Sequence, residues 1–163
     1  MPEISAGILV FRHGSETTEV LLVHPGGPFW AKKDAGAWSI PKGMVEADED
    51  HEAAARREFA EETGFAAEGE LRPLGEFRQK SGKRVVAFAM EGDFDPARLA
   101  SNSFEMEWPP RSGQRRGFPE IDRAAWFALD EARLKLVAGQ VPMLEALVTT
   151  LGGARDGFRP SPE

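Results

Sequence analysis

Cysteine and tyrosine are both missing from this 163-residue chain, and histidine occurs only three times. Without cysteine there is no disulfide framework and no thiolate metal site. Three histidines with no ligand spacing leave soft transition metals without donors. No apolar run is long enough to span a bilayer, and Met1-Pro2-Glu3 opens directly into a strand-like segment without a signal-peptide pattern. Together these absences lead us to expect a cytoplasmic protein without a membrane partner. Basic charge is also scarce: 20 Lys and Arg against 27 Asp and Glu leave a net charge of −7, which excludes the basic face of a general nucleic-acid binder. An anionic substrate must then be met by local Lys and Arg or by a metal ion. At 41% hydrophobic and 29% charged residues, the composition suits one globular domain with a substantial core over residues 1–152, followed by a frayed tail at 153–163. There is no internal repeat, and the expected assembly is a monomer or a homodimer.

What the chain does contain is concentrated between Gly43 and Phe65, GMVEADEDHEAAARREFAEETGF. The run from Ala53 to Glu62 is rich in strong helix formers, Asp48 or Asp50 can cap its start, and Gly64 follows where a helix commonly stops. On such a helix Glu58, Glu61 and Glu62 stand at i, i+3 and i+4, so their carboxylates share one stripe about a turn tall. Like charges so placed disfavour the helix by roughly 0.2–0.5 kcal/mol per pair. A cation gripped there would offset that cost. Oxygen-only donors point to a hard divalent ion, Mg2+ with Mn2+ as a substitute. The alternative is a solvated acidic face with Arg56 and Arg57 as local partners, and the spacing alone leaves both open.

The wider pattern resembles the Nudix box, G-x5-E-x7-R-E-U-x-E-E-x-G-U. Gly43, Glu49, Arg57, Glu58, Glu61, Glu62 and Gly64 fill its polar and glycine positions, and Phe59 and Phe65 stand where aliphatic residues are usual. That departure concerns packing and not the acids. The resemblance implies an α/β fold, a mixed twisted sheet between helices, and a hydrolase that cleaves a nucleoside diphosphate linked to another moiety. It implies that the backbone carbonyl of Lys42 joins Glu58, Glu61 and Glu62 on the metal, with Glu46 in the outer sphere. Arg57 would pair with acidic neighbours and hold the loop against the helix. The segment from Glu120 through Trp126-Phe127 to Asp130-Glu131-Ala132 is similar to the closing unit of Nudix domains. In diadenosine polyphosphate hydrolases a glutamate six positions before this Trp assists the metal or the water, and here that residue is Glu120. The implied catalytic set is Glu61, Glu62, Glu120 and Arg57, with Glu120 or a box glutamate taking a proton from the attacking water.

Flanking segments supply the rest. Residues 4–12 and 19–24 read as a β-hairpin, with Gly7 marking a bulge or a close backbone approach. The loop at 25–36 sets Phe29 and Trp30 beside Lys32 and Lys33, a combination able to stack a base and attract phosphate; the competing reading folds the aromatics onto the core. Residues 37–43 predict a short strand that delivers Lys42, whose side chain would also reach a phosphate, with Trp38 in the core. Strands are expected at 71–79 and 83–91, the second covered on both faces, with Arg78, Lys80, Lys83 and Arg84 around their turn as phosphate contacts or as solvated charge. Farther on, Pro96 begins a helical turn and Phe104, Met106 and Trp108 alternate along a strand. Residues 111–117 read as a mobile basic loop carrying Arg111, Arg115 and Arg116. A strand at 124–128 leads into a helix capped by Asp130, and 141–151 form an amphipathic packing helix.

For substrate, the AWSIPKG approach is similar to that of diadenosine tetraphosphate hydrolases and diphosphoinositol polyphosphate enzymes. The former carry a Tyr beyond the box, and this chain has none. Lys80 occupies the position of the proline expected in ADP-ribose hydrolases. The ranking is therefore a small nucleoside polyphosphate first (dinucleoside polyphosphate or NTP), inositol pyrophosphate second, and, as a different class, a Nudix-fold sensor that binds nucleotide or metal without turnover.

Overall fold

The N-terminal apolar runs become the middle of a mixed sheet, because alternate residues of each strand are apolar on both faces and both faces are covered. The structure, a computed structural model, describes residues 3–14 and 17–152. The tail expected at 153–163 lies outside the described residues. In chain order the elements are β1 (Ile4–His13), β2 (Thr18–Pro25), β3 (Lys42–Met44), α1 (His51–Thr63), β4 (Arg72–Arg78) and β5 (Arg84–Glu91). They continue with β6 (Ser103–Glu107), β7 (Arg115–Pro119), β8 (Ile121–Ala128), α2 (Leu129–Lys135) and α3 (Pro142–Thr150), with 3-10 turns at Pro96–Arg98 and Ala138–Gln140.

The main sheet runs β4-β5-β1-β2-β8, with β3 attached to β1, while β6 and β7 form a separate hairpin. β1 lies parallel to β5 along its length, Ile4 opposite Arg84 through Phe11 opposite Glu91. Its other edge is shared in turn: Ser5–Gly7 pairs with β3, and Val10–His13 pairs with β2. A strand edge divided between two partners parts where one takes over from the other, and the cleft described below forms beside that parting.

Successive β1 residues alternate between two cores. Leu9 and Phe11 join Val20, Leu22, Val85, Ala87 and Ala89 beneath α2 and α3, whose Ala132, Met143, Leu144 and Leu147 complete that layer. Ala6, Ile8 and Val10 face the other way with Leu21, Phe88 and Met90, against Ala54, Ala55 and Phe59 of α1. The box helix and the C-terminal helix thus cover opposite faces, as expected. Phe59, fully buried, packs on Phe65 and Phe94, which stack on each other with ring centroids 4.8 Å apart. The aromatic pair in place of aliphatic residues therefore fills one layer with a third ring. Among the described residues, no helix is long and apolar enough to cross a membrane.

Several local expectations are corrected. Residues 37–43 are not a continuous strand: Trp38 and Ser39 each make a single bridge, to Leu136 and Val23, and regular pairing begins only at Lys42. Pro41 has no N–H to give to a ladder, and the chain turns there onto β1. The basic stretch at 111–117 is only half loop, since Arg115 and Arg116 lie on β7, paired with Glu107 and Met106. β8 begins at Ile121 and not at 124. Asp130 does not cap α2; Ala128 occupies the cap position without a side-chain bond, and Asp130 sits in the first turn, where the helix dipole favours an acid.

Candidate active site

α1 starts where Asp50, in extended conformation, accepts a hydrogen bond from Ala53 N, and stops at Gly64 in the left-handed region at φ 80°. That conformation favours glycine, and a Cβ at Gly64 would also lie 2.8 Å from the Ala100 carbonyl. These limits fix the rotation of the helix and so the aim of its acids. Two other glycines bring the preceding chain in. A Cβ on Gly7 would lie 2.6 Å from the Pro41 oxygen and 2.7 Å from the Lys42 Cβ, so β1 has a gap through which residues 41–42 pass. A Cβ on Gly43 would lie 1.9 Å from Glu58 Oε1. Gly43 is therefore the seat of the Glu58 carboxylate, which gives the box glycine a steric reason.

The loop between Gly43 and the helix is held by Arg57. Its guanidinium grips Glu49 with both Nε and Nη2, at 2.8 and 2.9 Å, and donates to the Met44 carbonyl at 3.0 Å. Nη1 donates to Glu58 at 2.7 Å and reaches Glu61 at 3.4 Å. This fork holds the Glu49 carboxyl down at about 2, with a further bond from Glu46 N, and raises the guanidinium above its ordinary value. Arg57 thus ties the loop to the helix through its acidic neighbours.

Glu62 stands differently. It is half-buried, its one hydrogen bond among the described residues comes from Lys42 N at 3.2 Å, and burial lifts its carboxyl to about 7, with Glu58 and Glu120 adding repulsion. Glu120 is raised by burial and by the nearby charges of Glu58 and Glu61. Burial and Lys83 hold the Lys42 ammonium below its usual value. Lys42, Glu62 and Glu120 line one cleft of about 240 Å3 together with Trp30, Ser39, Gln79 and Gln140 and the apolar Val23, Ile121 and Val137.

Glu58 and Glu61 lie beside this cleft on Arg57 and do not line it, and Glu61 is the most exposed of the box acids, at 46% of its side chain. Among the described residues, no three His, Asp or Glu side chains converge as the ligands of one ion. The reason is local: Arg57 holds Glu58 and Glu61, and the Lys42 amide holds Glu62. In donor chemistry, however, the set fits a hard divalent cation, since the oxygens are all carboxylate, and repulsion among them adds to the burial that raises Glu62 and Glu120.

Of the substrate contacts expected from sequence, Trp30 and Lys42 reach the cleft, and Lys83 lies close enough to act on Lys42. Phe29 turns away from it to pack edge-on against Trp108, at 5.6 Å. Lys33 places its ammonium 5.5 Å from the Trp30 ring centre, whereas Lys32 and Arg78 are exposed outside the cleft. Trp38 is core, 4% exposed.

Several residues around the cleft carry no motif in the sequence. Buried His24 ties the aromatic loop down, with Nδ1 2.9 Å from Asp122 and Nε2 2.6 Å from the Lys33 carbonyl. Gln140, fully buried, and Gln79 form an amide pair in the cleft wall. A polar residue ending an apolar run, as His24 does in EVLLVH, or flanked by apolar residues, as Gln140 is in VAGQVP, was the available signal.

Comparison with known proteins agrees with this geometry. Residues 1–147 match the family model for the NUDIX domain. Nudix hydrolase 21, chloroplastic, of Arabidopsis thaliana is 33% identical over 121 residues, 74% of this chain and 52% of its own, so the chain spans about half the length of that relative. A C. elegans Ap4A hydrolase in a binary complex superposes with a TM-score of 0.63 at 21% identity, over 90% of this chain and 97% of its own. The NUDIX domain of Shewanella oneidensis NrtR, complexed with ADP ribose, gives 0.63 at 17% identity, over 93% and 89%. With the box acids on a capped helix, the two-faced mixed sheet and a family match across 1–147, the chain belongs to the Nudix family.

Proposed function

We propose that the protein is a Nudix pyrophosphohydrolase that cleaves a phosphoanhydride bond in a small nucleoside polyphosphate, either a dinucleoside polyphosphate or an NTP. The observation that carries this reading is the composition of one cleft: Glu62 of the box and Glu120 of the closing segment share it with a basic group and an exposed indole. Glu58, Glu61, Glu62 and Glu120, with the Lys42 carbonyl, would hold Mg2+ or Mn2+. The cation would supply charge neutralisation for the phosphoanhydride.

The chain's own groups do the rest. Lys42 meets phosphate oxygens from the floor. Trp30 offers a face for a base. Glu120 or Glu62, both raised above the ordinary carboxylate value by burial and by their neighbours, is the group to take a proton from the attacking water. Arg57 keeps Glu49, Glu58 and the Met44 carbonyl in register while the reaction proceeds.

A second reading, nucleotide binding without turnover, draws on the hold that Arg57 keeps on Glu58 and Glu61. An inositol pyrophosphate ranks below a nucleotide because the wall around Trp30 and Gln79 is aromatic and amide and not basic. Product release from ATP, GTP, diadenosine tetraphosphate, ADP-ribose and a diphosphoinositol phosphate, each with Mg2+ and with Mn2+, tests all three. Turnover of a nucleoside polyphosphate is the expected result. Calorimetric binding with no product over hours would favour the sensor.

A further inference from the structure

The amide pair in the cleft wall is locked in one orientation. Gln140 is fully buried, and its Oε1 accepts from the backbone N–H of Ile40 at 2.9 Å. A backbone N–H can only donate, so the Gln140 amide cannot be turned over, and its Nε2 must point the other way. There it meets Ser39 Oγ at 3.0 Å and Gln79 Oε1 at 3.1 Å. The Ser39 hydroxyl gives its own hydrogen to the Ile40 carbonyl at 2.7 Å, so toward Gln140 it can only accept. Every hydrogen in this chain is thereby assigned without reference to the Gln79 amide, which has to turn its oxygen to Gln140.

Backbone packing holds Gln79 in the same place. Its N–H donates to the Lys83 carbonyl at 2.8 Å, and a Cβ on Gly139 would stand 2.8 Å from the Gln79 Cα. The 3-10 turn that carries Gln140 therefore abuts Gln79 directly. With Oε1 committed, Gln79 keeps a free N–H2. Among the described residues it meets no acceptor, and it is not sealed from solvent, because the one buried side-chain polar atom without a partner among them is Ser5 Oγ. Gln79 lines the cleft that Trp30 also lines.

From this we infer that Gln79 is a specificity-determining residue that selects bases presenting a keto oxygen over bases presenting an exocyclic amine, with Gln140 as the positioning residue that sets its polarity. A free glutamine recognises adenine through both ends of its amide, accepting from the amine and donating to the ring nitrogen. Here the accepting end is turned toward Gln140, which leaves the N–H2 as the end available to a base. Guanine offers acceptors at O6 and N7, and uracil offers O4; adenine keeps N7 as an acceptor, but its amine, like that of cytosine, would stand against a donor and go unpaired. The inference rests on the reading of the cleft as a nucleotide site.

Its test is kcat/KM for GTP against ATP and for UTP against CTP with Mg2+, read as the ratio within each pair so that a general loss of activity cancels. In parallel, calorimetry compares GMP with AMP. The parent chain prefers the keto member of each pair by about tenfold, the size of one well-placed hydrogen bond of about 1.4 kcal/mol. Gln79→Glu has the same shape. One of its oxygens still takes the Gln140 hydrogen and the other offers an acceptor to the cleft, so the preference inverts toward ATP and CTP. Gln140→Met frees the Gln79 amide to turn and brings the ratio toward unity. Should Gln140→Met fail to fold, the inversion in Gln79→Glu, at a half-exposed position, decides alone. Equal ratios in the parent, or a preference that Gln79→Glu leaves unmoved, overturn the inference while the hydrolase reading stands. Tighter binding of GMP than AMP with no turnover of any triphosphate supports the base selection and overturns the hydrolase reading.

Discussion

Glu62 and Gln140 belong to the same cleft but keep their places by different physics. The acid side, Glu62 and Glu120 with Glu58 close behind, is repulsive in itself: burial lifts Glu62 to about 7 and raises Glu120, and the charge of Glu58 adds to both. The amide side is neutral, with Ile40 N, Gln140, Ser39 and Gln79 joined in a single chain of bonds that ends on the Gln79 N–H2, unpartnered among the described residues. One side is under electrostatic stress that a cation would relieve; the other is at rest. In the proposed hydrolase such a site would separate chemistry from recognition, because the stressed side gains from a charged reactant while the resting side keeps one fixed pattern of donors.

Substitutions that sever the two sides show how far that separation goes. The largest effect is expected at Glu62. Glu62→Gln keeps its shape and should lower turnover by about a hundredfold or more, as loss of a charge at a reacting centre commonly does, with circular dichroism unchanged. The same variant reports the stress directly. A carboxyl raised above its unfolded value contributes stability only while protonated; that share is full below about 4.5 and lost as pH rises through about 7. In a chelator at pH 8, Glu62→Gln should therefore melt above the parent, and a lower melting temperature there would deny the repulsion.

Gly43→Ala follows. Its methyl would fall 1.9 Å from Glu58 Oε1, displacing that carboxylate from its seat and with it the grip of Arg57. We expect about a tenfold or greater loss of activity with a drop of a few degrees in Tm, read by kinetics and calorimetry. On the recognition side, Trp30→Ala removes a ring that is 40% exposed, so Tm should hardly move, while KM for a nucleoside triphosphate rises about fivefold or more if a base stacks there. Unchanged KM would remove Trp30 from the binding surface.

The smallest effect is at the tether between loop and helix. Glu49 is held at about 2 by Arg57, so its contribution to stability is present above about 4.5 and fades as pH falls toward 2. Glu49→Gln should flatten the acid side of the Tm-against-pH curve by a small amount, the pair being near the surface. An acid limb as steep as the parent's would place that stability elsewhere.

How much of this was legible in the chain depends on the range of the interaction. The box helix, its Asp50 cap and its Gly64 stop are local, each set by residues within one turn, and they appear where the sequence puts them. So do β1, β2, β4 and β5, whose alternation needs no partner to be read. The short bridges at Trp38 and Ser39 and the strand at Arg115 were not legible in that way, because a paired edge depends on what lies beside it. Among the proposed site residues, Glu58, Glu61 and Glu62 were marked by spacing and Glu120 by the resemblance of its segment to the closing unit of Nudix domains. Phe29 and Trp30 looked alike in sequence and parted in the structure, one packing on Trp108 and one lining the cleft.

By itself, then, the order of residues determined the family, the helix that carries the acids and the two apolar faces of the sheet, since periodicity, capping and charge spacing act over a few positions. Only the tertiary structure decided that Arg57 would hold Glu58 and Glu61 while Glu62 faced the cleft, and that Gln79, Ser39 and Gln140 would meet across as many as 101 positions of chain. Hydrogen-bond polarity is a property of neighbours in space, and no spacing along the chain encodes which end of an amide is left free.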